Sequence, residues 1–214
     1  MSKAVKIETV RGALEWLTIS GEGRANMSGK LEYLATLVLD GEQAEDLKAK
    51  IDAYWEENKP AKFTRPAKSK GYYEHTEATG DVDENGKKVY APTGKTAFRF
   101  KTGTTYQDGK EKVIQIYNSK GNKVNLGDTS IGNGSIGRIK GAMGIYENKN
   151  PKTGVAIDAG VTLYLDSIML LKLVEYAEAG FAATDEDAEF DAIGEDFVGE
   201  EEQAEPAAPA RTRL

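Results

Sequence analysis

The sequence has no cysteine and very little histidine, and these two absences exclude several kinds of chemistry. Among its 214 residues there is no Cys and a single His, His75. Without cysteine the chain can form no disulfide, thiolate metal site, iron–sulfur cluster or cysteine nucleophile. With one histidine it can form no two-histidine metal site, and a Ser-His-Asp triad would need His75 as its base.

Long apolar runs are also missing. No stretch of about 18 apolar residues is present, so we expect no membrane-spanning segment and no membrane partner. The opening residues, MSKAVKIETVRG, do not contain the apolar core of a signal peptide.

The formal net charge of −7 hides a strong asymmetry along the chain. Residues 185–214 hold 11 acidic residues and two arginines, whereas residues 60–125 hold 13 basic residues against seven acidic ones. Such asymmetry is typical of a nucleic-acid-binding body with an acidic tail that masks it or binds a partner. On charge alone, a soluble domain with a solvating tail is an equal alternative.

Hydrophobic patterning predicts a mainly β protein. Apolar residues alternate at 31–39, and β patterns recur at 13–19, 96–102, 112–118, 136–146 and 155–173. One helix is expected after Asp40, which would cap it together with Gln43, and it should end before Pro60. Residues 60–95 are predicted to be irregular apart from a hairpin turn in DENGKK, and 103–111 to be a hairpin loop.

These elements favour an OB-fold-like five-stranded barrel with one long helix over residues 1–183. Residues 184–214 hold too few apolar side chains to offset the entropy of ordering, so we predict a disordered acidic C-terminal tail.

Two segments partly match cofactor or metal motifs, but each lacks an element or a ligand that the motif requires. GNGSIG (132–137) has the letters of a dinucleotide-binding fingerprint, but a strand pattern follows it where a helix is required. DVDENG (81–86) matches half of a calcium loop, but Pro92 stands where the bidentate Glu belongs. We therefore expect no cofactor and no metal, and we expect His75 to be exposed in a polar loop.

Basic residues interleaved with aromatics are the remaining signal. Proteins that bind single strands without sequence preference stack bases on aromatic rings and track phosphates with Lys and Arg. On the strand 96–102 we expect Phe98 and Phe100 to face the core and the intervening cations to face outward. Trp16 and Trp55 are expected in the core. The candidate nucleic-acid-binding residues are Lys62, Arg65, Lys68, Lys70, Tyr72, Tyr73, Arg99, Lys101, Tyr106, Tyr117, Arg138 and Lys140.

Four segments and the acidic tail carry a family resemblance. In order they are TAFRFKT, NSKGNKV, IGNGSIGRIKGAM and VTLYLDSIMLLKLVE. Together they resemble the single-stranded DNA-binding proteins that tailed phages encode for their own replisomes. The resemblance covers roughly residues 31–200. It implies an OB-fold with a long helix, a basic groove lined by aromatics for single-stranded DNA, and an acidic tail that competes with DNA and contacts replication partners. It places Arg99 and Lys101 on one binding-face strand and Arg138 and Lys140 on a nearby strand.

The end of the tail departs from the family pattern, because it reads PAAPARTRL rather than acids capped by an aromatic. The segment GEDFVGEEE could contact a phage DNA polymerase or helicase instead, through Glu195, Asp196, Phe197, Glu200, Glu201 and Glu202. The resemblance thus predicts a non-enzymatic protein of phage DNA replication and recombination in the cytoplasm of the infected host cell.

Other interpretations stay open at this point. The chain could be a structural or protein-interaction β-domain of a phage, which would not bind DNA in a salt-dependent way. A carboxylate-based hydrolase would need paired acids in a cleft, and only Asp166 is embedded in a strongly apolar stretch. The oligomeric state, including a homodimer, is not determined by the sequence.

Overall fold

The computed structural model describes residues 4–61, 63–127 and 129–176. Ten strands and one helix follow one another along this part of the chain. They are β1 (Val5–Glu8), β2 (Gly12–Thr18), β3 (Arg24–Ala25), β4 (Leu31–Leu39), α1 (Gly41–Asn58), β5 (Tyr72–Val82), β6 (Lys88–Gly103), β7 (Gln115–Tyr117), β8 (Lys123–Val124), β9 (Ser135–Lys149) and β10 (Ala156–Lys172).

Five of the strands close into a ring. The order around it is β2, β4, β6, β10 and β9, and β9 pairs back to β2 through Gly12–Leu14. Most neighbours are antiparallel, whereas β10 runs parallel to β6. The predicted mainly β fold with an OB-fold-like barrel and one long helix is confirmed.

The other strands extend the ring at its edges. β1 pairs with β9, β3 with β4, β5 with β6 in a long hairpin, and β8 with β7. β7 runs parallel to β10 and pairs with Ser167–Met169, on the same edge on which the earlier residues Leu163 and Tyr164 pair with β6. The hairpin loop predicted at 103–111 is confirmed, because Thr105 and Glu111 form an antiparallel bridge and the Tyr106 amide donates to the carbonyl of Lys110 at 2.8 Å. Beyond this loop, however, β6 and β7 each pair with β10 instead of with each other.

The core fills the inside of the ring and continues onto α1. Phe98, Phe100 and Leu163 are fully buried inside the barrel, as the alternation of β6 and β10 requires. Ile51 and Trp55 of α1 belong to the same apolar cluster. The core positions expected for the two phenylalanines and for Trp55 are confirmed.

Helix α1 begins one residue after Asp40, as predicted, but its first turn is not capped in the expected way. Asp40 has an extended backbone, and its side chain makes no capping hydrogen bond. The predicted capping interaction with Gln43 is therefore wrong. At the other end the Lys59 amide donates to the carbonyl of Trp55 at 2.8 Å, and Pro60 prevents continuation. No helix in the described part of the chain is long and apolar enough to cross a membrane.

Three local expectations are wrong for identifiable reasons. Residues 72–82 and 88–95 are strands rather than irregular chain, since a two-stranded ribbon exposed on both faces needs no apolar alternation. His75 is buried, because its ring lies between Thr93 and Glu15, with Nδ1 2.8 Å from the Thr93 hydroxyl and Nε2 3.1 Å from a Glu15 oxygen. Trp16 is 60% exposed, because a bulge in β2 takes its side chain out of the alternating pattern.

Candidate nucleic-acid interface

The outer face of β6 carries the two cations that the sequence placed outside the core. Arg99 lies between the buried Phe98 and Phe100, so it must face away from the barrel interior. Lys101 lies in the same outer row and pairs with Leu34 of β4 on one side and Tyr164 of β10 on the other. This register places a cation and an aromatic ring side by side on the outside of the barrel.

A groove of about 650 Å³ opens beside these cations. One wall is the segment 68–71, which crosses from β10 to β6 through backbone hydrogen bonds. The Lys68 amide donates to the carbonyl of Ala159 at 2.9 Å, and the Arg99 amide donates to the carbonyl of Gly71 at 2.8 Å. The crossing is so close that a Cβ at Gly160 would lie 2.2 Å from the carbonyl oxygen of Ser69. The wall is thus fixed to the barrel by its backbone.

Tyrosine rings accompany the cations of this groove. The Arg99 guanidinium lies over the ring of Tyr73, 5.1 Å from its centroid, and Tyr73 is 39% exposed. Tyr146 lines the groove and is partly buried, which raises the pKa of its phenol. Tyr164 does not line the groove, but it is the register partner of Lys101; it is also 39% exposed, and its ring packs where a side chain on Gly144 would stand. Flat rings beside cations can stack bases and neutralise phosphates.

Acidic neighbours moderate the charge of the groove. Lys68 Nζ lies 2.8 Å from an Asp158 oxygen, and this hydrogen bond raises the pKa of Lys68 and lowers the pKa of Asp158. Lys101 Nζ is 3.8 Å from a Glu32 oxygen. Among the described residues, no carboxylate forms an ion pair with Arg99, which therefore offers the groove an uncompensated charge.

Lys70 and Tyr72 bind α1, although Tyr72 also lines the groove. Asp52 accepts hydrogen bonds from Lys70 Nζ at 2.9 Å and from the Tyr72 hydroxyl at 2.8 Å. Burial and this hydrogen bond raise the pKa of Tyr72 to about 12. The Tyr72 ring packs against Phe98, so this tyrosine joins the sheet to the helix.

Arg138 and Lys140 lie on the outside of β9, beside β1. Both contact Glu8, at 2.7 Å from an Arg138 nitrogen and 3.4 Å from Lys140 Nζ. Arg138 also donates from Nε to the carbonyl of Thr9 at 3.0 Å. The structure therefore places this pair in an ion cluster on β9 and β1, with β10 between it and Lys101.

The remaining candidates are dispersed. Arg65 donates to the carbonyl of Ala156 at 3.1 Å, and its guanidinium lies over the ring of Phe63. Tyr106 is an exposed loop residue beneath Lys112, and Tyr117 is a half-buried residue of β7. Lys62 and the tail residues Glu195, Asp196, Phe197, Glu200, Glu201 and Glu202 lie outside the described residues.

Two tyrosines on this face were not among the sequence candidates, namely Tyr146, which lines the groove, and Tyr164, which pairs with Lys101 in the register of β10 and β6. A signal for Tyr164 was present, because Val161, Leu163 and Leu165 are the buried alternate residues of β10 and Tyr164 lies on the opposite face. No cluster of three or more His, Asp or Glu suited to a metal ion occurs in the residues that the structure describes.

The closed five-stranded ring, the helix and the groove on the outer face together define an OB-type barrel. Among solved structures, the chain is similar to gp2.5, a single-stranded DNA-binding protein encoded by bacteriophage T7. The TM-score is 0.51 at 21% identity, over 79% of this chain and 92% of that chain. It is also similar to the single-stranded DNA-binding protein of bacteriophage Enc34 in complex with single-stranded DNA, with a TM-score of 0.51 at 14% identity, over 83% and 89% of the two chains.

A C-terminally truncated form of the Enc34 protein gives the same TM-score at 12% identity, over 82% of this chain and 88% of that chain. No protein-family model matches the sequence, and no curated protein matches it significantly. At these identities the likeness is one of fold, and it confirms that the chain has the fold of phage single-stranded DNA-binding proteins.

Proposed function

We propose that this protein binds single-stranded DNA without sequence preference and is not an enzyme. The observation that carries the proposal is the groove on the outer face, where Arg99, Lys101 and Lys68 stand beside the rings of Tyr73 and Tyr146. Two solved proteins with the same fold are described as single-stranded DNA-binding proteins, and one of them holds single-stranded DNA in its structure.

The chemistry of the groove suits a flexible single strand. Cations neutralise phosphates and release counterions, which makes affinity depend on salt. Tyrosine rings stack on any base, because every base has an aromatic face. A stacked contact of this kind needs unpaired bases, so a duplex should compete poorly.

The larger role that we propose follows from the fold and the charge distribution. The domain 1–183 would protect and organise single-stranded DNA during phage DNA replication, recombination and repair, in the cytoplasm of the infected host cell. The tail 184–214 would occupy the groove when DNA is absent, since a tethered polyanion acts at high effective concentration. When DNA displaces it, the tail would be free to contact a phage polymerase or helicase.

Binding is tested by fluorescence anisotropy with a labelled oligo-dT and an unlabelled duplex competitor. We expect tight binding of the single strand and weak competition by the duplex. Tyr73→Ala should weaken binding about 5- to 150-fold, which corresponds to one lost base stack. The control is Lys87→Ala with Lys88→Ala, because these lysines are exposed near the tip of the β5–β6 hairpin, away from the groove.

Deletion of residues 184–214 is the second experiment, and it tests whether the tail competes with DNA. It should tighten DNA binding at low salt if the tail competes for the groove, and equal affinity would contradict that role. If neither the full chain nor the truncated chain binds oligo-dT, the DNA-binding proposal is wrong and the structural or protein-interaction domain becomes the better interpretation.

A further inference from the structure

Trp16 occupies a backbone position that normally belongs to glycine. Glu15 pairs with Thr36 of β4, but the next pair in the register is Thr18 with Leu34, so β2 contains one extra residue. Trp16 at this bulge has φ of +52°, and among the described residues it is the one non-glycine residue with a positive φ. Bulges of this type usually carry glycine in the left-handed conformation, because a side chain there is strained.

The strained backbone is held from the side by the glycine-rich loop 132–135. The Trp16 amide donates to Asn133 Oδ1 at 2.8 Å, and the Gly134 amide donates to the carbonyl of Leu14 at 3.1 Å. The loop is itself anchored, because the fully buried Ser135 donates from its hydroxyl to the carbonyl of Gly132 at 2.8 Å. These bonds give the GNGSIG segment a structural role: it fixes the conformation of Trp16.

The side chain held in this way is directed largely to solvent. Trp16 is 60% exposed, whereas the other tryptophan, Trp55, is 3% exposed in the core. Because the ring is exposed, it adds little to the packing of the core, and because the backbone is strained, glycine would suit this position better. Strained backbone positions that surrounding bonds retain cluster at functional sites, so Trp16 is a candidate for a functional role.

A chain of contacts joins Trp16 to the groove. Glu15, its neighbour in sequence, is held 3.1 Å from His75 Nε2 of β5. His75 lies two residues along β5 from Tyr73, whose ring lies beneath Arg99. Trp16 is therefore linked to Tyr73 through Glu15 and His75, and both rings are exposed to solvent.

We propose that Trp16 is a second stacking platform, which binds a base of the same single strand that occupies the groove. This inference rests on the proposed function and extends it to a residue outside the groove. Tryptophan offers the largest ring face for a base, and OB-folds bind about 4–16 nucleotides of a single strand, which suffices to reach beyond one groove.

The test uses oligo-dT titrations with three proteins: the wild type, Trp16→Gly and Trp16→Phe. Glycine suits the backbone at this position, so Trp16→Gly should remain folded, which its thermal midpoint verifies. We expect Trp16→Gly to bind about 5- to 150-fold more weakly and Trp16→Phe to retain part of the affinity. The intrinsic fluorescence of the wild type should be quenched by DNA, because Trp55 is buried and Trp16 supplies the accessible signal.

The outcomes separate this inference from the proposed function. If the wild type binds oligo-dT and Tyr73→Ala weakens binding, while Trp16→Gly binds like the wild type without a change in wild-type fluorescence, Trp16 does not contact DNA and the inference is overturned alone. If the wild type does not bind oligo-dT at all, the proposed function is overturned first and the stacking role is overturned with it.

Discussion

The salt dependence of DNA binding offers the most quantitative test of the groove. The perturbation is the double substitution Arg99→Ala with Lys101→Ala, which removes the two cations on the outer face of β6. Each phosphate contact on a single strand contributes about −0.7 to the slope of log affinity against log salt. If both side chains contact phosphates, the double variant should have a slope that is shallower by about 1.4.

This difference is large enough to measure directly. Between about 50 mM and about 200 mM salt, the advantage of the wild type over the double variant should shrink about sevenfold. Anisotropy titrations at four or five salt concentrations supply both slopes, and the Lys87→Ala with Lys88→Ala protein serves as the charge-matched control. Equal slopes for the wild type and the double variant would refute the placement of DNA phosphates on β6, whatever the absolute affinities.

Three further outcomes are expected from other parts of the molecule. Asp158→Asn should release Lys68 from its ion pair, so DNA binding should tighten and the salt slope should steepen by about 0.7; an unchanged slope would place Lys68 outside the DNA path. Tyr72 has a pKa raised from 10.0 to about 12 in the folded protein, so its contribution to the free energy of unfolding is present below pH 10 and is lost as the pH rises toward 12. Denaturant titrations in that interval should show a weaker decline for Tyr72→Phe than for the wild type, and identical declines would contradict the assignment. Phe100→Ala should lower the free energy of unfolding by about 3–5 kcal/mol, because the ring is fully buried, and a loss below about 1 kcal/mol in urea denaturation would be inconsistent with that burial.

The sequence predicted best those helices and strands that bury only one of their faces. The alternation around Phe98 and Phe100 located the core face of β6 and, with it, the outward direction of Arg99 and Lys101. In α1, Trp55 was expected in the core and lies there, together with Leu47 and Ile51. In each case the period of the side chains carries the information, because only one face of the element is apolar.

The β5–β6 hairpin could not be predicted in the same way. Its distal strands are exposed on both faces, so no periodicity distinguishes them from a loop. His75 was expected at the surface because its sequence neighbours are polar, but its partners Glu15 and Thr93 are distant in sequence.

The sequence predicted which kinds of residue form the site, but it did not predict which of them lie together. Alternation alone placed Arg99 and Lys101 on the outside, but it could not show that Lys70 and Tyr72 bind Asp52 of the helix. Ion pairs between distant segments decide which cations are left for a ligand, and these pairs depend on tertiary structure. Trp16 was misplaced because one extra residue in β2 changes the face on which a side chain lies, and a bulge with tryptophan has no common sequence signature.

The pairing of β2 with β9 also constrains how the polypeptide acquires its structure during synthesis. Leu14 pairs with Ser135, so β2, the first strand of the ring, cannot pair with β9 until more than a hundred further residues have been synthesised. Contacts so remote in sequence slow folding, and an emerging chain that lacks β9 and β10 exposes the apolar inner faces of β4 and β6. The hairpin β5–β6 and helix α1 are local and can form early, but the barrel as a unit can form only once β10 has been translated.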